Sequence, residues 1–93
     1  MKIISGEHGS GKTAELLKEL SAKKENCYVV CNNPKKLNEY ALANGIFNVK
    51  FIDIDDVFED VFSEITPLYI DDISDFLVGL FGDRIKGYTV AID

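Results

Sequence analysis

The sequence has no long apolar run, only one histidine, two cysteines and a single arginine, Arg84, among its 93 residues. Without a run of membrane-spanning length, no transmembrane helix is expected. The opening stretch Met1-Lys2-Ile3-Ile4-Ser5 has one lysine but not the extended apolar core of a signal peptide, so a cytoplasmic location is expected. Cationic residues are scarce relative to acids, giving a formal charge of -6 and a pI near 4.6. That balance does not indicate charge-driven binding to nucleic acid, which needs a dense Lys/Arg surface, although it leaves room for a local basic patch. Cys27 and Cys31 fall four apart in an apolar stretch. In a strand they share a face but lie roughly 13 Å apart at about 3.3 Å per residue, beyond disulfide reach. Two buried thiols of a reducing compartment are the plain reading, because no third cysteine and no nearby histidine completes a metal set.

What the chain does have is enough apolar residues, 46%, for one compact domain over 1–93. Strand and helix signals alternate. Lys2 to Ser5 reads as a first strand, and Lys12 to about Lys24 as a helix with Leu16, Leu17 and Leu20 on one side. Cys27 to Cys31 is a second strand, apolar enough to be covered on both faces. Asn33 caps the next helix, Pro34 suits its first turn, and Asn44-Gly45 ends it. Asn48 to Ile52 is a third strand, and about Ile54 to Ser63 a third helix. Leu68 to Asp72 contains a fourth strand, the stripe Ile73, Phe76, Leu77, Leu80 and Phe81 a helix ending at Gly82, and Tyr88 to Ile92 a fifth strand. Alternation with short connections predicts an α/β fold whose mostly parallel sheet carries helices on both faces. Ligands of such sheets bind beyond the carboxyl ends of the strands, which points to Ser5–Thr13, Asp71-Asp72 and Asp93.

The chemistry concentrates in the first of these. Gly6-Glu7-His8-Gly9-Ser10-Gly11-Lys12-Thr13 fits G-x-x-x-x-G-K-[ST] between an apolar strand and a helix. Glycines let successive N–H groups turn inward as an anion nest, and the helix that follows adds its positive end. Gly6, Gly9, Ser10, Gly11, Lys12 and Thr13 are therefore the expected phosphate-binding residues, with the Lys12 ammonium on the β- and γ-phosphates and the Thr13 hydroxyl on Mg²⁺. Asp71, at the end of an apolar strand, is the expected second metal residue. Asp72 is the expected water-activating base, with helix N-capping as the competing reading. Glu7 and His8 read more simply as solvated loop residues. Asp53, Asp55, Asp56, Glu59 and Asp60 read as capping and first-turn charge rather than a second metal site, and Lys23, Lys24, Lys35 and Lys36 as helix-surface charge.

These two motifs, the Walker A pattern at Gly6–Thr13 and the Walker B pattern at Leu68–Asp72, resemble those of a minimal P-loop NTPase across nearly the whole chain. The pattern is similar to the division containing helicase motor domains, AAA+ ATPases and the nucleotide core of bacterial-type thymidine kinases. In the last of these an Ile-Asp-Glu and a later strand ending in Leu-Asp stand where Ile70-Asp71-Asp72 and Val90-Ala91-Ile92-Asp93 stand here, Asp72 being one methylene shorter than that Glu. The zinc module and lasso of those kinases and the second motor domain of helicases have no counterpart, so the resemblance implies the nucleotide-binding core alone. It implies a three-layer P-loop NTPase-like fold with a five-stranded sheet in the chain order 1-5-4-2-3. It also implies Mg²⁺-dependent binding of ATP or GTP, with ATP ahead, and slow hydrolysis with Lys12 and Asp72 as catalytic residues. The alternatives are a regulatory module that holds nucleotide without turnover and, further off, a small-molecule kinase. A homo-oligomer or protein partner fits that division. Arg84 is then a candidate finger toward a neighbouring subunit, with an exposed loop arginine as its plainer reading.

Overall fold

The computed structural model describes residues 11–56 and 66–89. Helix α1 runs over Lys12–Lys23 and strand β1 over Cys27–Cys31. Helix α2 covers Pro34–Ala43 and strand β2 covers Val49–Asp53, followed by a 3-10 turn at Ile54–Asp56. Strand β3 is Leu68–Ile70, helix α3 is Ile73–Phe81, and a second 3-10 turn spans Gly82–Arg84.

The three strands form a parallel sheet in the order β2-β1-β3. Cys27 pairs with Val49 and Cys31 with Asp53 on one side of β1, while Tyr28 pairs with Leu68 and Val30 with Ile70 on the other. β1 is central and apolar because both of its faces are covered. Cys27, Val29 and Cys31 point into a core shared with Leu16, Leu17 and Leu20 of α1 and Ala41 of α2. Val30, on the opposite side of the pleat, is fully buried as well, and Ile52 and Ile54 are buried on that side. There Gly79 of α3 comes so close to Ile54 that an added Cβ would lie 3.0 Å from its Cγ2. Each fully buried aliphatic side chain in these layers contributes roughly 1.5–3 kcal/mol. Burial also explains the thiols. It pushes Cys31 up to about 11 and raises Cys27, so both remain protonated at neutral pH and behave as core residues, free of any disulfide.

Local signals set the helix ends. Asn33 accepts a hydrogen bond from the Lys36 N–H at 3.2 Å, and Pro34 occupies the first turn, where its missing N–H is not needed. Gly45 takes φ +72° after the α2 cap, a backbone region that glycine enters without a Cβ penalty. Asn33→Ala is expected to lower stability by about 1 kcal/mol, the usual worth of such a cap. An unchanged denaturant midpoint would show that Pro34 alone starts the helix.

The five-stranded P-loop NTPase-like sheet in the order 1-5-4-2-3 is overturned: the sheet has three strands among the described residues. The expected fifth strand fails where it is described, since residues 85–89 take no regular structure. Tyr88 is half exposed, and its hydroxyl lies 3.0 Å from Ser74 Oγ on α3. An apolar β-branched run becomes a strand only where a partner edge receives it, and Tyr88 is tied to a helix instead. The expected first strand, Lys2 to Ser5, lies outside the described residues, as do Val90–Asp93 and most of the third predicted helix, of which Ile54–Asp56 forms a 3-10 turn. No helix of the described residues is long and apolar enough to cross a membrane.

Candidate functional site

The N-terminus of α1 and the carboxyl ends of β1 and β3 meet at one cleft. Gly11 precedes α1 in the left-handed region, φ +85° and ψ +19°, and its carbonyl accepts the Glu15 N–H at 3.0 Å as the first bond of the helix. With no side-chain cap there, the helix presents the positive end of its dipole, and its first-turn N–H groups fall outside its own hydrogen-bond ladder.

Asp71 reaches the same place from the sheet. Its N–H donates to the Val30 carbonyl at 2.9 Å, continuing the β3–β1 pairing by one bond past Ile70. Its carboxylate then accepts the Thr13 hydroxyl at 2.8 Å, a part-buried bond between residues 58 positions apart. Burial raises the Asp71 carboxyl above its ordinary 3.8; the Thr13 hydrogen bond pulls it back, Asp72 and Asp75 push it up again, and Lys12 lowers it.

Asp72 stands at φ +61°, ψ +87°, and caps α3 by accepting the Asp75 N–H at 3.2 Å. The capping reading of this residue is therefore realised, while Asp72 also lines the cleft. The cleft has a volume of about 510 Å³. Gly11, Lys12, Thr13, Asp71 and Asp72, five residues singled out by sequence, come together along it. Gly6, Glu7, His8, Gly9 and Ser10 lie outside the described residues. Arg84 sits exposed in the second 3-10 turn. No group of three or more His, Cys, Asp or Glu side chains among the described residues is arranged to hold a metal by itself. Asp53 and Asp55 instead make a local turn, with the Asp55 N–H donating to the Asp53 carboxylate at 3.0 Å.

Sequence reasoning missed Ala14, Asn32, Leu37, Tyr40 and Asp75, which complete the cleft. Asn32 follows the last residue of β1 and was findable by the rule that strand ends make sites. Tyr40 carries no such signal, since an aromatic on a helix looks the same whether it faces solvent or a ligand. Comparison with protein-family models, with curated proteins and with solved structures finds no match.

Proposed function

We propose that this chain binds the Mg²⁺-bound triphosphate of ATP or GTP and hydrolyses it slowly, with Gly6, Gly9, Ser10, Gly11 and Lys12 around the phosphates and Thr13 and Asp71 toward the metal. The observation that carries the reading is the Thr13–Asp71 hydrogen bond. It brings the last residue of the G-x-x-x-x-G-K-[ST] pattern against the carboxylate that follows β3, with the two oxygens 2.8 Å apart. The donor types, hydroxyl and carboxylate, are those a hard cation takes. When bound, Mg²⁺ neutralises charge on the phosphate oxygens. Lys12, in the first turn of α1, adds a point charge from the protein side, and the Gly11 turn leaves the backbone open beside it.

One observation favours the second reading, a nucleotide-dependent interaction module. Asp72 uses carboxylate oxygen Oδ1 to cap α3, which holds the side chain to its own helix and weakens it as a water-activating base. Free thiols suit the cytoplasm as the working compartment, and a protein partner or a second copy of the chain suits such a module.

Calorimetric titration of the purified protein with ATP and with GTP, each with and without Mg²⁺, tests the reading. Binding is expected to depend on Mg²⁺. Thr13→Val should weaken the Mg-nucleotide by about 10- to 100-fold, the range seen when a supporting group at a metal is lost, and should leave metal-free nucleotide binding unchanged. Absence of binding by both nucleotides would sink the proposal. Phosphate release separates the two readings: Asp72→Asn turning over at the native rate would remove Asp72 as base.

A further inference from the structure

The cleft is lined by apolar and aromatic side chains as well as charged ones. Its polar end holds Lys12, Thr13 and Asp71, whereas its other wall is Leu37 and Tyr40 of α2. These two are three residues apart and so share a helix face. Ala41, 1% exposed, anchors α2 in the core and Leu37 packs partly against it, while Tyr40 remains 44% exposed. The helix is thus fixed, and the Tyr40 ring has surface available. Asn32 lines the cleft as well. Its amide nitrogen donates to Asp75 Oδ2 at 2.8 Å. Because a carboxylate only accepts, the –NH₂ is held toward Asp75 and the amide oxygen is left to accept a hydrogen bond on its other side. A volume of about 510 Å³ lies within the range of sites for small organic ligands.

Resting on the nucleotide reading above, we infer that Tyr40, Leu37 and Asn32 seat a planar, N–H-bearing heterocycle beside the metal-bound phosphates, Tyr40 by stacking and Asn32 by accepting from a ring N–H. Two sources share this chemistry: the base of the bound nucleotide itself, and the base of a second, nucleoside-like molecule alongside it. A phosphate chain has no use for an apolar, aromatic wall, and a heterocycle stacks on one whatever its sequence of donors.

The experiment compares Mg-ATP with Mg-tripolyphosphate, which has the phosphates and no ring, on the native protein, Tyr40→Ala and Tyr40→Phe. The expected result is that Tyr40→Ala loses about tenfold or more in ATP affinity, the scale of one base stacked on an aromatic ring. Tyr40→Phe keeps it, and tripolyphosphate binds all three proteins alike, which also shows that the variants are folded. That pattern assigns the wall to the nucleotide's own base. If ATP and tripolyphosphate are both indifferent to Tyr40, each of adenosine, guanosine, cytidine and thymidine is titrated into protein loaded with Mg-tripolyphosphate; binding of any one, lost in Tyr40→Ala, assigns the wall to a second molecule. Indifference of ATP and of all four nucleosides to Tyr40 overturns the inference while leaving phosphate binding intact. Failure of tripolyphosphate and ATP to bind the native protein overturns the nucleotide reading, and this one with it.

Discussion

Lys12→Ala is expected to weaken Mg-ATP binding by about 100-fold while lowering the thermal midpoint only slightly, through the loss of its attraction to Asp71. The two readouts diverge because of where the residue stands. Lys12 is the first residue of α1 and a wall of the cleft, outside the core made by Leu16, Leu17 and Leu20. Alanine has the highest helix propensity, so the helix itself loses nothing by the change. The ammonium on a phosphate chain makes charge-assisted hydrogen bonds worth roughly 1.5–3 kcal/mol, and a factor of 100 corresponds to about 2.8 kcal/mol, within that range. Calorimetric titration gives the affinity, and a thermal melt without nucleotide gives the stability. Native affinity in the variant would mean that the positive end of α1 and the backbone hold any phosphate unaided, and the assignment of Lys12 would fall. Lost affinity with a midpoint lowered by many degrees would mean instead that the side chain chiefly supports the fold.

Much of the local structure was legible because it is written in short-range rules. Asn33-Pro34 and Asn44-Gly45 mark the two ends of α2, and Gly82 follows the last residue of α3. The apolar run Cys27–Cys31 is the buried central strand that its composition implies. The sheet as a whole was not legible, since strand number and neighbours depend on pairing between distant segments. Tyr88 has the composition of a strand and none of the pairing. The stripe on α3 shows a related limit. Ile73, Phe76, Leu77, Leu80 and Phe81 predict the helix correctly, yet none of its residues is fully buried, and Ile73 and Phe81 are exposed. Periodicity reports that one face is apolar; it does not report how completely a neighbour covers it. Within the site, Lys12, Thr13 and Asp71 were singled out because their chemistry belongs to a spaced pattern, and the meeting of Thr13 with Asp71 at 2.8 Å is a tertiary fact. Tyr40 enters the cleft only through the packing of α2 on the sheet.

Asp71→Asn is expected to raise the thermal midpoint of the nucleotide-free protein at neutral pH and, in the same variant, to weaken Mg-nucleotide binding by about 10- to 100-fold. The stability half follows from the direction of the Asp71 shift. Burial, chiefly, lifts this carboxyl above 3.8 in the folded chain, with Asp72 and Asp75 adding to the lift against the Thr13 hydrogen bond and Lys12. The native state therefore holds the proton more tightly than the unfolded state does. Where the folded chain binds more protons, stability falls as pH rises. The loss runs from the ordinary carboxylate value to the raised one and is complete above it, so at neutral pH the free protein bears the whole penalty of a charged, part-buried Asp71. Asparagine removes the charge and keeps an oxygen to accept from Thr13, so the hydrogen bond survives. The variant's acid arm should be flatter than that of the native protein over the same window. The binding half follows from the same charge, which a divalent cation offsets and a neutral amide cannot attract. A residue whose ionisation costs stability when the cleft is empty and contributes affinity when Mg²⁺ arrives behaves as a ligand group. A lowered midpoint in Asp71→Asn would reverse that conclusion, making the carboxylate a support of the fold through Thr13; unchanged Mg²⁺ dependence would remove it from the metal.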